Sequence, residues 1–289
     1  MPSVAALADS ALRRVAGLTP FPQPPVIRLR YPVVMMHGFG MLAALRWRQG
    51  HLHAEAMHLR AHGVVAYAPN VAPYNTITVR AEMWARLLDV VFEETGAERL
   101  NLIAHSMGGL DARHLIAHHG YGARVASLTT ISTPHRGSAA ADVVLEGPEV
   151  LRAPAASVVD WIAATALEGS TSDVIQALRE LRPSYVTGTF NPATPDDPAV
   201  RYASYAGHAG RGTGLPMNPG LRVLNALIYA RQGPNDGMVA AESAPWGDFR
   251  GTLDADHAEQ VGMRFLRGNP FRSNAFYLGL ARDLQAEGF

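Results

Sequence analysis

Leu100-Asn101-Leu102-Ile103-Ala104-His105-Ser106-Met107-Gly108-Gly109 is the stretch that decides the fold. A short apolar run of strand type ends in a serine flanked by small residues, and a helical pattern begins at once and continues to His118. That is the layout of a nucleophile elbow, where a sharp strand-to-helix turn lifts a serine hydroxyl above the sheet. The small residues two before and two after the serine let the turn pass close to neighbouring chain. Here they are Ala104 and Gly108, with alanine where glycine is usual. A pentapeptide of this kind is a weak signal alone, so its meaning depends on its surroundings.

Working outward, apolar runs and helical patterns alternate. Residues 31–36 read as a buried strand followed by His37-Gly38-Phe39-Gly40, residues 52–62 as a helix closed by Gly63, and residues 64–68 as the next strand. Residues 78–95 form an amphipathic pattern, with Val79, Met83, Leu87, Val90 and Val91 near one face and Gly96 as the stop. Residues 125–131 are a further strand. Strand–helix–strand repetition at this spacing specifies an α/β fold, a mostly parallel central sheet with helices on both faces. Ligands bind such sheets at the carboxyl ends of the strands, where Ser106 falls.

The rhythm then breaks. Residues 138–185 are mostly alanine, valine and leucine in helical spacing, interrupted by Pro148, Pro154 and Gly169. This reads as a helical insertion. A strand over residues 202–206, a helix within 218–232 and two helices after His257 complete the expected order. Residues 1–30 are expected to hold a short amphipathic helix and a proline-rich linker, ahead of one domain over residues 31–289.

At 289 residues, with 48% hydrophobic and 17% charged side chains, the chain has the composition of a globular domain with a sizeable core. Basic and acidic residues balance at 25 each, and neither a basic stripe for nucleic acid nor a charged tail is present. All 25 basic residues are arginine. The lack of lysine excludes Schiff-base catalysis, a phosphate-loop ATPase and a serine–lysine hydrolase. The lack of cysteine excludes thiol catalysis, disulfides and cysteine-ligated zinc. At the N-terminus Arg13 and Arg14 follow the apolar residues, the wrong order for a secretory signal, and no run has the length of a membrane span. The default expectation is a cytoplasmic chain. A mature secreted form given a new methionine would read identically.

A serine hydroxyl needs a neutral imidazole as base, and that imidazole needs a carboxylate to hold its tautomer. In folds of this kind the acid and then the histidine follow the serine in the chain. The best acid is Asp236, in Gly233-Pro234-Asn235-Asp236-Gly237, where turn residues flank a carboxylate. The best histidine is His257, in Asp254-Ala255-Asp256-His257-Ala258, 21 residues further on. Asp248, Asp254 and Asp256 are rival acids, and His208 is the rival base. An oxyanion hole needs two backbone N–H groups. Met107, next after the serine, supplies one, and Phe39, after Gly38, is the candidate for the other. Their side chains are expected to shape the acyl pocket. His58 and His62, four apart, face the same side of a helix as a zinc pair or a solvated surface, while His135 and Arg136 read as anchors of a strand-end loop.

Four segments in this order carry a family resemblance: Tyr31-Pro32-Val33-Val34-Met35-Met36-His37-Gly38-Phe39, Ala104-His105-Ser106-Met107-Gly108-Gly109, Ser132-Thr133-Pro134-His135-Arg136-Gly137-Ser138 and Asn235-Asp236-Gly237-Met238-Val239. They resemble bacterial triacylglycerol lipases of the α/β-hydrolase superfamily, and the last resembles the acid segment of the Pseudomonas-type branch. The resemblance implies the α/β-hydrolase fold, Ser106 as nucleophile, Asp236 as acid, His257 as base, and Phe39 and Met107 as oxyanion donors. It also implies that the insertion over 138–185 is a lid on an apolar cleft, although plain core is the alternative. Lipases of that branch often hold calcium near the catalytic histidine through an aspartate two residues after it. Here that position is Glu259, with no convincing partner about twenty residues before Asp236, so calcium lacks support and no cofactor is expected.

The sequence therefore predicts a serine carboxylic-ester hydrolase acting through an acyl-enzyme, its substrate an acyl ester at a lipid–water or polymer interface. No nucleic acid and no obligate protein partner are expected. A polyester hydrolase or a thioesterase would use the same residues, and a non-catalytic binding module on the same fold is the alternative from another class.

Overall fold

A computed structural model of the chain describes residues 4–17, 24–38, 52–72, 74–146, 172–263 and 271–289. Strands β1 (Val33–Met36), β2 (Ala66–Tyr67), β3 (Leu100–His105), β4 (Val125–Ile131), β5 (Arg201–His208) and β6 (Asp248–Asp254) form one sheet in the order β2-β1-β3-β4-β5-β6. Every neighbouring pair is parallel. β3 and β4 are buried along their whole lengths, which is why they read as continuous apolar-rich runs.

The helices are α1 (Val4–Val15), α2 (His53–Ala61), α3 (Ile77–Thr95), α4 (Gly108–His118), α5 (Ala139–Glu146), α6 (Ser172–Glu180), α7 (Arg222–Gln232) and α8 (Ser273–Ala286). Successive side chains of a strand point to opposite faces, and β1 shows the result. Val34 and Met36 join Trp84, Leu88 and Val91 of α3 with Ala112, Leu115 and Ile116 of α4. Val33 and Met35 join Ala56 and Leu59 of α2 with Tyr277, Leu280 and Leu284 of α8. Helices thus cover both faces, as the alternation required. Truncating Leu88, which has no exposed surface, to alanine is expected to cost about 2–5 kcal/mol.

Helix α3 begins where Thr76 Oγ1 accepts the Val79 N–H, and ends at Gly96, whose φ of 62° supplies the left-handed cap. Three expectations need correction. β2 spans only two residues. β6, the polar strand at the sheet edge, was not anticipated, because Asp248-Phe249-Arg250-Gly251-Thr252-Leu253-Asp254 is largely exposed. After His257 the described residues hold a 3₁₀ turn, Glu259–Val261, and the single helix α8 in place of two helices.

The insertion is helical where it is described, through α5 and α6. The chain then passes a helical turn, Pro183–Tyr185, into a π-helical turn, Val186–Phe190. Residues 147–171, the centre of the expected lid, lie outside the described residues. What is described packs on the elbow: Met107 and Leu110 contact a cluster containing Ala141, Ala177, Leu181, Val186 and Phe190. Arg182 ties the insertion together, 2.6 Å from both Asp142 and Glu146. Among the described residues no helix is long and apolar enough to cross a membrane.

Candidate active site

The turn after β3 is built by absence of side chains. Ser106 has φ 57°, a left-handed backbone that an L-residue with a side chain adopts only at an energetic penalty. The neighbouring chain is close enough to hold it there. A Cβ on Gly38 would stand 2.5 Å from Ser106 Cβ and 2.9 Å from Met107 N, and one on Gly108 would stand 2.8 Å from His37 O. Glycine at both positions is therefore a packing requirement. Ser106 N donates to Ile131 O at 2.9 Å, and Thr133 Oγ1 donates to Ser106 O at 2.7 Å.

Two residues distant in sequence converge on the turn. His257 Nε2 lies 2.9 Å from Ser106 Oγ, and His257 Nδ1 lies 2.7 Å from Asp236 Oδ2. An ionised carboxylate only accepts, so Nδ1 carries the proton and leaves Nε2 to accept from the serine hydroxyl. Asp236 is fully buried, and its other oxygen accepts the N–H groups of Met238 at 3.0 Å and Val239 at 2.8 Å. Burial opposes its charge, but His257 as charge and hydrogen-bond donor, with the two backbone N–H groups, outweighs burial and holds the carboxyl below its usual range.

The loop bearing Asp236 is itself fixed. Asn225 on α7 donates to Asn235 Oδ1 at 2.8 Å and to Ala209 O at 3.0 Å, while Asn235 returns a bond to Asn225 O at 3.1 Å. His257 N donates to Asp236 O at 3.0 Å, so the two loops also meet through their backbones.

The rival residues have other partners. His208 and Asp254 pair with each other at the surface, 2.7 Å apart. Asp248 pairs with Arg250 and Arg201. Asp256 is buried and accepts the N–H groups of Asn218, Ala258 and Glu259, while Glu259 Oε2 accepts Asp256 N. The two carboxylates thus cap each other's backbone in the manner of a capping box. Glu259 stands where the lipase resemblance puts a calcium ligand, but its donor set does not fit the ion. Among the described residues no group of three or more His, Cys, Asp or Glu could hold a metal. The His58 and His62 rings lie with centres 4.6 Å apart, tilted at 56°, and His62 Nδ1 is directed at His58 O.

Met107 N, one expected oxyanion donor, lies beside Gly38, 2.9 Å from where a Cβ there would stand. The Met107 side chain is wholly buried under the insertion, a core position rather than the expected pocket wall. Phe39, the other expected donor, lies outside the described residues. The segment leading to it is held by Arg80, whose Nη2 donates to His37 O at 2.7 Å, and by Val71 N, which donates to His37 Nε2 at 3.1 Å. His135 is an anchor as expected: it is buried, with Nε2 3.0 Å from Thr130 Oγ1 and its ring stacked on Trp246. Arg136 donates to Pro245 O at 2.8 Å.

The sequence reading missed Arg80, Asp111, Asn225 and Gln260. Each is a polar residue interrupting an apolar stretch or flanking a named motif, and that interruption was the only signal available.

The arrangement can deprotonate a hydroxyl, hold the resulting imidazolium and present the nucleophile at the carboxyl end of a parallel sheet. Known proteins resemble the chain. The family model described as palmitoyl protein thioesterase matches residues 32–179. Triacylglycerol lipase 2 of Saccharomyces cerevisiae is 36% identical over 208 residues, 66% of this chain and 58% of that protein. The chain thus spans well under two thirds of that relative's length. A triacylglycerol lipase of Pseudomonas fragi is 26% identical over 298 residues, covering 91% of this chain and 98% of its own. Among solved structures, the mature form of the Bacillus licheniformis lipase BlEst2 superposes with a TM-score of 0.64 at 22% identity, over 92% of this chain and 94% of that one. This last likeness establishes the α/β-hydrolase fold.

Proposed function

The chain belongs to the palmitoyl protein thioesterase family, and we propose that it is a serine hydrolase of carboxylic esters of the lipase and esterase type. The observation that carries this reading is the continuous path from Asp236 Oδ2 through His257 to Ser106 Oγ, with steps of 2.7 and 2.9 Å. The lipases among its relatives support the substrate class.

In this mechanism His257 Nε2 takes the Ser106 proton as the oxygen attacks the ester carbonyl. Asp236 stabilises the imidazolium through Nδ1–H. The oxyanion receives the N–H of Met107 and, as second donor, that of Phe39. His257 then protonates the departing alcohol, leaving the acyl group on Ser106. Water repeats the sequence and frees the acid. No step calls for a metal or cofactor.

The family description favours a second reading, hydrolysis of an acyl thioester by the same three residues. A thiolate leaves more readily than an alkoxide, so it depends less on protonation by His257. Matched oxoester and thioester substrates of one acyl length discriminate the two.

The test of the main reading is the initial rate against tributyrin concentration through its solubility limit, with Ser106→Ala as blank. A jump when droplets form supports action at a lipid–water interface, with the 138–185 insertion as a lid. Saturation below the limit supports an esterase and moves polyesters and soluble esters forward. Equal inactivity of wild type and Ser106→Ala on oxoester and thioester alike rejects the proposal.

A further inference from the structure

Gln260 lies in the 3₁₀ turn Glu259–Val261, fully buried. Its side-chain amide is oriented without ambiguity by its neighbours. Nε2 is 3.0 Å from Asp236 Oδ2 and 3.4 Å from Ala255 O. A carboxylate and a carbonyl accept only, so the amide nitrogen faces them and Oε1 faces away, towards His105 Nε2 at 3.2 Å. An amide oxygen accepts only, so His105 carries a proton on Nε2. The His105 ring, buried at the end of β3, also packs against His257, with ring centres 4.4 Å apart at 45°.

The space for this amide is kept by a third residue. A Cβ on Gly207 would collide with Gln260 Nε2. Gly207 has no left-handed backbone angle to explain it, so close approach is its reason for being glycine.

Asp236 Oδ2 therefore accepts two hydrogen bonds, one from His257 Nδ1 and one from Gln260 Nε2. We propose that Gln260 and His105 are positioning residues of the hydrolytic site: His105 orients the Gln260 amide, and that amide aims Asp236 Oδ2 at His257 while dispersing part of its charge. The proposal deepens the ester-hydrolase reading and rests on it. Besides these two, the groups facing the Asp236–His257 pair are Ser106, the N–H groups of Met238 and Val239, and Asp256, whose carboxylate feels the charge of Asp236.

Removing the Gln260 donor concentrates charge on Oδ2. The carboxylate then holds the protonated imidazole more tightly, and the base becomes free only at higher pH. The acidic limb of the kcat/KM profile therefore moves upward in Gln260→Leu. It moves further in Gln260→Glu, a near-isostere that adds a second carboxylate. His105→Phe keeps a ring against His257 without the donor and moves the limb in the same direction by less. Loss of one hydrogen bond to a charged group is expected to lower plateau kcat about tenfold in Gln260→Leu, with KM for a soluble ester little changed.

The experiment measures these profiles on protein whose active fraction is counted by fluorophosphonate titration, alongside NMR titration of the His257 imidazole. A limb and an imidazole titration that both move upward in the order wild type, Gln260→Leu, Gln260→Glu support the proposal. Limb and titration unmoved in both variants, whether or not the active fraction falls, overturn it and leave Gln260 a packing residue. If wild type cleaves neither oxoester nor thioester, the functional reading fails, and the NMR titration still decides whether Gln260 tunes His257.

Discussion

Arg80 on α3 and Asp111 on α4 form an ion pair with no exposed surface on either side chain, 2.8 Å apart. Trp84 Nε1 also donates to Asp111 at 3.2 Å, and Arg80 extends to Ala72 O at 2.7 Å as well as to His37 O. The pair thus joins the helix behind Ser106 to the segment leading to the expected oxyanion donor. Breaking a buried pair by removing one partner leaves an uncompensated charge, whereas replacing both with apolar residues is often neutral. Arg80→Met should therefore cost about 3–5 kcal/mol in urea unfolding at neutral pH, and Arg80→Met with Asp111→Leu should recover most of it. Burial raises the Asp111 carboxyl, and Arg80 is the main opposing pull. The wild-type carboxyl, raised to about 6, rises further without Arg80, so the variant's native state takes up its proton at higher pH and the deficit should shrink as pH falls from about 8 to 6. A deficit independent of pH would rule out an uncompensated Asp111.

Asp236→Asn should retain the fold and lose on the order of 10⁴ in kcat, by analogy with serine triads elsewhere. Asp254→Asn, whose partner is the surface His208, should stay near wild-type kcat on a soluble ester. The opposite pattern would transfer the acid role to Asp254.

The Asp236 carboxyl is held below its usual range in the folded state. Its contribution to stability is then complete above the ordinary carboxylate range and disappears as pH falls through the lowered value. Thermal midpoints of wild type and Asp236→Asn should differ most near neutrality and converge in acid. A gap that widens on acidification would contradict the lowered value.

Gly38→Ala places a methyl against Ser106 Cβ, His105 O and Met107 N. These neighbours are the elbow itself, so the turn or the 37–38 segment must move. The expected result is a fall in kcat of about 10²-fold or more, the scale of losing an oxyanion donor, with secondary structure by circular dichroism unchanged. Wild-type kcat in this variant would show that the segment can shift without affecting the reaction.

Chelation should change neither activity nor thermal midpoint. Asp256 and Glu259 already satisfy one another's backbone donors beside His257. A midpoint lowered by EDTA and restored by calcium would reveal a site that these residues do not form.

Much of this was legible in the chain because its signals are local. The strand under Ser106 and the helices around it follow from hydrophobic period, and Gly96 marks a helix end by the backbone it alone adopts easily. β6 was not legible, since an exposed edge strand has no apolar face to create alternation. The acid and base were selected by order along the chain, but their rivals Asp254 and Asp256 differ from Asp236 only in partners contributed by other segments.

The sequence by itself determined the alternation of strands and helices, the tight turn at Ser106 and the exclusion of lysine and cysteine chemistry. Those are properties of short stretches or of composition. Only the tertiary structure decided that Ser106 and His257, 151 residues apart, meet at 2.9 Å, that Gly207 is glycine for the sake of Gln260, and that Arg80 is tied to Asp111. The physical reason is that a hydrogen bond acts over about 3 Å, and no periodicity within one segment records which distant atom will occupy that distance.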